Sequence, residues 1–362
     1  MTSTSPANIP TGVLELAART LEVQTSDVTI SRVTGDASTR SYFRASADDR
    51  SAIIALYSSA FDENTSAAER LAAAEARDPS SRLTFANDPC AHIETTLLFL
   101  EAGLPVPKLL GCSGADAVLL LEDVGDTRLQ DWLADHSESE AVEAYREAMR
   151  MLIDIQGATR TVCDRGSICS RLAFDEAKLR WELGFFFANY FNRHLRVRLE
   201  AEVANAVQAD FKALCSELAS RPRVLTHRDY HARNLMMHGG RMCIIDFQDA
   251  RMGPASYDVA SLLSDPYSPL SRENARALSE EFVDLKARSL FPLPDPEDFR
   301  VELHLMTAQR MLKAVGTYAS QAVAGNQVYL PYIRPAVERA TSAMGALDRF
   351  AATRKLLEQT LS

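Results

Sequence analysis

The sequence has neither a long apolar run nor an excess of positive charge. No apolar stretch approaches the roughly 20 residues that a membrane-spanning helix needs, and Met1 to Pro10 is polar, without the basic and apolar regions of a signal peptide. Aspartate and glutamate outnumber lysine and arginine by 49 to 39, which gives a formal net charge of −10. We therefore expect a cytoplasmic protein that binds neither membranes nor nucleic acid.

Cysteine is scarce and is not arranged for metal binding. The chain contains no Cys-x-x-Cys pair and no cysteine and histidine spacing suited to zinc. Such isolated thiols are typical of a reducing compartment, where cysteine serves as a small apolar residue. We therefore expect all six cysteines to be structural: Cys90, Cys112, Cys163, Cys169, Cys215 and Cys243.

The chain does contain enough apolar residues, 46% of 362, to bury a core of substantial size. Alternation and turn residues predict strands between about 28 and 57, and two further apolar runs predict strands at 108–110 and 117–121. From Leu129 onward the spacing is almost wholly helical. The main predicted helices cover about 65–76, 89–102, 128–135, 138–158, 173–192 and 197–219. The pattern predicts an α+β protein with a small β-rich lobe, residues 1–122, and a larger helical lobe, residues 123–362.

One strand-rich island, residues 223–247, interrupts the helical half. Gly239-Gly240 separates two apolar runs there and predicts a two-residue hairpin turn, because both turn positions require positive φ. Asp246 should end the second, buried strand, which places its carboxylate at a sheet edge. A carboxylate in that position is costly to bury unless something compensates its charge, and a divalent cation is a common solution.

Three residues of this island together predict phosphoryl transfer. Asp229 lies in a polar loop, where it can accept a proton from a substrate hydroxyl, while Asn234 and Asp246 hold Mg²⁺ on nucleotide phosphates. The alternative is that Asp229 and Asn234 cap turns and Asp246 lies in a surface bend. The joint occurrence of His-x-Asp, the asparagine, the hairpin and Ile-Asp-Phe, in this order, favours the functional interpretation.

The same residues resemble a known family. The pattern His227-x-Asp229-x-x-x-x-Asn234, followed by Ile245-Asp246-Phe247, is similar to the signature of the aminoglycoside and choline kinase-like phosphotransferases. The resemblance implies a two-lobed protein-kinase-like fold, ATP and Mg²⁺ as cofactors, and a small-molecule acceptor.

Four stretches resemble more narrowly the members of this family that phosphorylate N-acetylmuramate and N-acetylglucosamine at the anomeric hydroxyl. They cover residues 36–44, 227–236, 245–258 and 309–316. The resemblance implies a kinase acting on an amino sugar. A kinase for an aminoglycoside or a choline-like amine, and a pseudokinase that binds nucleotide without catalysis, stay open as alternatives.

The pattern departs from the family at the phosphate-binding lysine of the third strand, because residues 52–57 contain no lysine. Arg40 and Arg44, on the preceding hairpin, are the nearest cations that can replace it. The alternative is that both arginines form a solvated strand face. The glycine-rich loop is reduced to residues 35–38, where backbone amides and the Ser38 hydroxyl can cover phosphate.

The segment that links the two lobes contains the remaining nucleotide-binding candidates. Residues 119–125 resemble the hinge that receives adenine through backbone groups, which assigns Glu122 and Val124 to this contact. Their apolar neighbours can belong to the core of the sheet at the same time.

Five residues are candidates for binding the acceptor. His231 and Arg233 lie inside the loop that carries Asp229, and Asp249 follows the metal-binding candidate Asp246. On one helix, Arg310 and Lys313 are three residues apart, so they share a face that can recognise a carboxylate or a phosphate. The alternatives are an exposed position for Asp249 and an exposed basic stripe formed by Arg310 and Lys313. We expect His227 and Asp258 to brace the loop rather than to react.

Overall fold

The computed structural model describes residues 9–33, 40–85, 88–267, 270–293 and 295–361. The chain forms two compact units, the first comprising Met1–Thr127 and Met236–Asp249 and the second Arg128–Leu235 and Ala250–Ser362. The predicted boundary between residues 122 and 123 stays a prediction. In the described ranges, no helix is both long enough and apolar enough to cross a membrane.

The first unit contains both strands and helices, and helices dominate the second, so the α+β prediction is confirmed. The strands are β1 Thr29–Arg32, β2 Ser41–Ala47, β3 Arg50–Leu56, β4 Leu109–Ser113, β5 Val118–Glu122, β6 Arg223–Thr226, β7 Leu235–His238, β8 Arg241–Ile244 and β9 Arg251–Pro254. The helices are α1 Thr11–Leu21, α2 Ala67–Arg77, α3 Ser81–Thr84, α4 Pro89–Glu101, α5 Leu129–Ala134, α6 Glu138–Gly157, α7 Thr159–Asp164, α8 Ile168–Arg171, α9 Glu176–Phe187, α10 Ala201–Ala219, α11 Ser256–Leu263, α12 Arg272–Ala287, α13 Pro296–Val323, α14 Leu330–Leu347 and α15 Ala351–Leu361.

A five-stranded antiparallel sheet forms the centre of the first unit, in the order β1-β2-β3-β5-β4. Its inward side chains, among them Phe43, Ile54 and Leu120, pack with Val13 and Leu21 of α1. The alternation of β2, with every second residue buried from Phe43 onward, follows from the period of two in a strand that has one buried face. The strands predicted between about 28 and 57 are therefore confirmed.

The hairpin β7-β8 also belongs almost wholly to the first unit. Gly239 and Gly240 have φ values of +56° and +74°, which confirms the predicted two-residue turn. The strand β8 ends at Ile244, so the expectation that Asp246 is its last residue was wrong. Asp246 has a φ of +62°, and this left-handed conformation takes the backbone out of the strand.

The second unit is built on helices that enclose one large apolar core. The predicted helices at 138–158 and 197–219 are confirmed as α6 and α10, whereas the segment 173–192 begins its helix only at Glu176 and continues beyond α9 as a π-helix, Ala188–Leu195. Strand β9, which pairs antiparallel with β6, was not predicted. Its four residues include Gly253 and Pro254, which are poor strand formers.

Helices α9 and α13 approach each other closely at Gly316. A Cβ atom at this position would lie 2.6 Å from the Cα atom of Phe186 and 3.2 Å from Cδ1 of Phe185. Only a residue without a side chain fits this separation, so Gly316 sets the distance between the two helices.

Candidate active site

The loop between β6 and β7 is held by buried hydrogen bonds to helices of the second unit. The backbone amides of His227 and Arg228 donate to the two carboxylate oxygens of Asp258, over 2.7 Å and 3.0 Å. The hydroxyl of Tyr230 donates to the carbonyl oxygen of Ala148 at 2.8 Å. Arg228 has a φ of +90°, an uncommon value for a non-glycine residue that the surrounding contacts must sustain.

Asp229 is the residue that this loop presents, and it is surrounded by cations. Its Oδ1 atom lies 2.8 Å from Lys313 Nζ and 3.3 Å from an Arg310 nitrogen, while its Oδ2 atom lies 3.8 Å from Arg228 Nε. Burial alone would raise the pKa of Asp229, but the attraction of Lys313, Arg228 and Arg310 outweighs it and holds the pKa well below its usual value. Asp229 is therefore an ionised carboxylate that can accept a hydrogen bond from a hydroxyl group.

The two cations on α13 are held differently. Arg310 donates to Tyr257 Oη at 3.0 Å and to Ser261 Oγ at 2.7 Å, and both partners lie on α11. Lys313 donates to Asp229 from an ammonium group that can form three hydrogen bonds. Arg310 is therefore bound to α11 as well as to Asp229, whereas the recorded contact of the Lys313 ammonium group is with the Asp229 carboxylate.

Asn234 is oriented by the same loop. Its Nδ2 atom donates to the backbone carbonyl oxygen of Asp229 at 2.8 Å. Because the amide nitrogen is used in this way, the oxygen Oδ1 is the atom that Asn234 can offer to a metal ion. An amide oxygen is a suitable ligand for Mg²⁺.

Asp246 and Arg40 lie together in the first unit. One nitrogen of Arg40 lies 3.3 Å from Asp246 Oδ1, and Gln248 Nε2 donates to the same oxygen at 2.8 Å. The Asp246 side chain is 41% exposed. Since both contacts involve Oδ1, the second carboxylate oxygen of Asp246 is a hard oxygen donor of the kind that Mg²⁺ prefers.

Arg44, the second candidate for replacing the lysine, is bound to carboxylates instead. Its guanidinium donates to both oxygens of Asp123, over 2.6 Å and 3.0 Å, and to both oxygens of Asp126, over 2.9 Å and 2.8 Å. The hydrogen bonds to Asp126 and Asp123 raise the pKa of Arg44 above its usual range. The structure therefore brings Arg40, and not Arg44, to the metal-binding candidate Asp246.

In the linking segment, residues 119–125, hydrogen bonds to Lys108 hold Glu122 at the end of β5. The Oε2 atom of Glu122 accepts a hydrogen bond from the backbone amide of Lys108 at 3.1 Å, and the Glu122 amide donates to the Lys108 carbonyl oxygen. Val124 is buried. The predicted phosphate-binding residue Ser38 lies outside the described residues, together with the rest of the segment 35–38.

The remaining acceptor candidates are His231, Arg233 and Asp249, and the first two contact Tyr267. The Arg233 guanidinium lies over the ring of Tyr267, 4.4 Å from its centroid, and the His231 ring contacts the same tyrosine edge to face. Burial lowers the pKa of His231 to about 3, so its imidazole is neutral. Asp249 is buried rather than exposed.

Sequence reasoning missed a buried ion pair on α9. Lys178 Nζ lies 3.5 Å from Glu182 Oε1, and Gln309 Nε2 of α13 donates to Glu182 Oε2 at 2.9 Å. Opposite charges four residues apart are usual on exposed helix faces. The signal that could have found the pair is its position within a segment that is otherwise rich in buried leucine and phenylalanine.

Known proteins are similar to this chain over most of its length. A family model described as the phosphotransferase enzyme family matches residues 29–299. The N-acetylmuramate/N-acetylglucosamine kinase of Pseudomonas aeruginosa is 31% identical over 291 residues, covering 78% of this chain and 74% of that protein. The kinase of the same name from Caulobacter vibrioides is 28% identical over 307 residues, covering 81% of each.

A solved structure shows the same fold at low sequence identity. The crystal structure of the choline kinase LicA from Streptococcus pneumoniae matches with a TM-score of 0.58 and 13% identity, covering 92% of this chain and 98% of that chain. The predicted kinase-like fold is therefore confirmed.

Proposed function

Because the chain belongs to the phosphotransferase enzyme family, we propose that it is a kinase that transfers the γ-phosphoryl group of ATP to the anomeric hydroxyl of N-acetylmuramate or N-acetylglucosamine. The carboxylate of Asp229, ionised and held by Lys313 and Arg310, is the observation that carries the proposal. The choice of acceptor is supported by the kinase named for these two sugars, which is 31% identical over 78% of the chain.

Asp229 acts on the acceptor in this proposal. Its carboxylate accepts the proton of the sugar hydroxyl as the hydroxyl oxygen forms a bond to the γ-phosphorus. The bond between this phosphorus and the bridging oxygen of ADP breaks, and ADP leaves with the electron pair. Positioning of the hydroxyl and stabilisation of charge supply most of the rate in such a transfer, because little covalent chemistry falls to the protein.

On the nucleotide side of the site, the proposal assigns roles to one residue from each of the two motifs, residues 227–234 and residues 245–247. Asn234 and Asp246 would hold Mg²⁺, which neutralises charge on the phosphates when it is bound. In the proposal Arg40 takes over the charge of the absent lysine, and its contact with Asp246 supports this role over one for Arg44. We further propose that Ser38 covers a phosphate and that backbone groups of Glu122 and Val124 receive the adenine.

The acceptor side combines residues of the loop and of α13. We propose that His231, Arg233, Asp249 and Lys313 face the sugar or the phosphoryl group. Arg310 is a positioning residue that acts through Asp229, because its guanidinium also donates to Tyr257 and Ser261 of α11.

An assay with purified protein tests the proposal. ATP turnover is measured with N-acetylglucosamine, N-acetylmuramate, choline and an aminoglycoside as separate acceptors, and the phosphorylated position is determined by NMR. We expect a sugar 1-phosphate from the amino sugars only, and loss of turnover when Mg²⁺ is chelated. Phosphorylation of choline or the aminoglycoside alone would contradict the proposed acceptor, and the absence of turnover with all four would favour a pseudokinase.

A further inference from the structure

The positive charge around Asp229 exceeds the negative charge of its carboxylate. Lys313 Nζ, an Arg310 nitrogen and Arg228 Nε lie 2.8 Å, 3.3 Å and 3.8 Å from a carboxylate oxygen of Asp229. All four residues belong to the second unit. One carboxylate therefore faces three cations.

The neighbouring charged groups do not remove this excess. Glu182 lies 3.5 Å from Lys178, so these two charges offset each other. Asp258 adds one negative charge beside the loop, where it accepts two backbone amides. Arg251, which is buried, adds one more positive charge, and it lies close enough to Asp229 for that carboxylate to act on its pKa. A buried charge without a counterion is costly, so the excess favours an anionic group from outside the protein.

Part of this charged group is accessible. The side chains of Asp229, Arg228 and Lys313 are 22%, 19% and 16% exposed, whereas that of Arg310 is 6% exposed. A ligand that reaches the Asp229 carboxylate from solvent therefore lies beside two cations that are themselves partly exposed.

Lys313 has more donors than acceptors. Its ammonium group can donate three hydrogen bonds. Within the described ranges, the Asp229 carboxylate is the one acceptor at hydrogen-bond distance from Lys313 Nζ. Arg310, by comparison, also donates to Tyr257 and Ser261. Lys313 is therefore the cation of this group that is best able to bind a second carboxylate.

The two sugars named in the proposed function differ in charge. N-acetylmuramate carries a lactyl ether with a carboxylate on its pyranose ring, whereas N-acetylglucosamine is neutral. In the proposed reaction the sugar hydroxyl binds the same carboxylate as Lys313, so Lys313 lies near the ring that bears the lactyl group. A hydrogen bond between an ammonium and a carboxylate is about twice as strong as one between neutral groups.

We propose that Lys313 binds the carboxylate of the acceptor, so that the protein prefers N-acetylmuramate to N-acetylglucosamine. The proposal rests on the proposed function and narrows the acceptor class to amino sugars that carry a carboxylate. The phosphoryl group of ATP is another anion that these cations can meet. It is common to the reactions of both sugars, so it cannot produce a preference between them.

A comparison of three acceptors tests the preference in the wild-type protein. They are N-acetylmuramate, its methyl ester, which keeps the lactyl group but not its charge, and N-acetylglucosamine. We expect kcat/KM for N-acetylmuramate to exceed that for the ester and that for N-acetylglucosamine by about tenfold or more. This test needs no variant, so it does not depend on how a substitution affects folding.

Variants of Lys313 then test the residue. In Lys313→Met, the kcat/KM values for N-acetylmuramate and its ester should agree within about threefold, and in Lys313→Arg the preference should be retained. Loss of Lys313 also alters Asp229, but this effect applies to every acceptor and cancels in the ratio of the two values. Lys355→Met is the matched control, because Lys355 is an exposed lysine on α15. It should keep the wild-type ratio.

The outcomes separate this proposal from the proposed function. A wild-type protein that uses N-acetylmuramate, the ester and N-acetylglucosamine equally well would overturn the carboxylate contact and leave the kinase assignment in place. A preference for N-acetylmuramate that persists unchanged in Lys313→Met would overturn the assignment to Lys313. A wild-type protein that phosphorylates no amino sugar would overturn both proposals.

Discussion

Lys313 Nζ lies 2.8 Å from Asp229 Oδ1, so a lysine 84 positions further along the chain holds the carboxylate proposed to act in catalysis. Burial lowers the pKa of Lys313, and its attraction to Asp229 opposes this effect. The two charges therefore stabilise each other in a site where either alone would be costly.

Replacing Lys313 with Met should change the pH dependence of the reaction. The positive charge of Lys313 favours the ionised form of Asp229, so its removal raises the pKa of that carboxyl. We expect the acid limb of the kcat/KM profile to move to higher pH in Lys313→Met. In Lys313→Arg, which keeps the charge, the limb should stay near its wild-type position. Identical acid limbs in the wild type and Lys313→Met would show that Lys313 does not tune Asp229.

Arg40 and Arg44 should respond differently to replacement with Ala. Arg40 contacts the metal-binding candidate Asp246, so its loss should lower kcat by about tenfold to a hundredfold, as expected when a charge-assisted contact to a phosphate is removed. Arg44 is bound to Asp123 and Asp126, so Arg44→Ala should reduce stability and leave kcat within about threefold. Steady-state kinetics and thermal unfolding of both variants check this. Equal kcat values in the wild type and Arg40→Ala would contradict the proposed role of Arg40 and would favour phosphate binding by backbone amides.

His92 on α4 should make the stability of the first unit depend on pH. Burial lowers its pKa to about 3, an effect that the charge of Arg40 increases, and its Nδ1 atom lies 2.8 Å from the Tyr57 hydroxyl. An unfolded histidine has a pKa of about 6.5, so below this pH the unfolded chain binds a proton that the folded chain excludes. The stability contributed by neutral His92 is present above pH 6.5 and is lost as the pH falls, by about 1.4 kcal/mol per pH unit.

The variant His92→Gln isolates this contribution, because glutamine is polar but does not titrate. Between pH 6.5 and 5.5, the free energy of unfolding in urea should fall less steeply in the variant than in the wild type, by about 1 kcal/mol. Equal slopes in the two proteins would mean that another group carries the acid sensitivity.

Gly316→Ala should separate α9 from α13. The added Cβ atom would lie 2.6 Å from the backbone of Phe186, and relieving this clash should cost about 1–3 kcal/mol of stability. Gly184 on α9 is the matched control, because a Cβ atom there meets nothing within 4 Å. Gly184→Ala should be neutral or stabilising by up to about 1 kcal/mol. Denaturant unfolding of both variants tests the close contact, which equal stabilities would contradict.

Local patterns predicted the elements on which the site is built. Gly239-Gly240 predicted the hairpin, and the spacing from Asp229 to Asn234 together with Asp246 predicted a family that the comparisons confirm. These features could be predicted because the hairpin turn and the motif each depend on residues that are close together in the sequence. The catalytic, metal and nucleotide roles of the individual residues stay predictions.

Contacts between segments that are distant in the sequence could not be predicted from such local patterns. Nothing near Asp229 in the sequence indicates that Lys313 and Arg310 bind it. In the same way, the sequence does not distinguish Arg44 from Arg40, because the carboxylates that bind Arg44 come from the distant residues Asp123 and Asp126. Likewise, the buried pair Lys178 and Glu182 has the spacing of an ordinary surface ion pair, and only the packing of α13 over α9 buries it.

The measurement that tests the central claim most directly is the kcat of Asp229→Asn with N-acetylglucosamine, determined beside the dissociation constant of Mg²⁺ and ATP. Asparagine keeps the shape of the side chain but cannot accept the proton of the hydroxyl. We predict that kcat falls by about 10² to 10⁴ while the dissociation constant stays within about threefold, because the carboxylate acts on the acceptor and not on the nucleotide. A variant with the kcat of the wild type would contradict the assignment of Asp229 and, with it, the proposed mechanism.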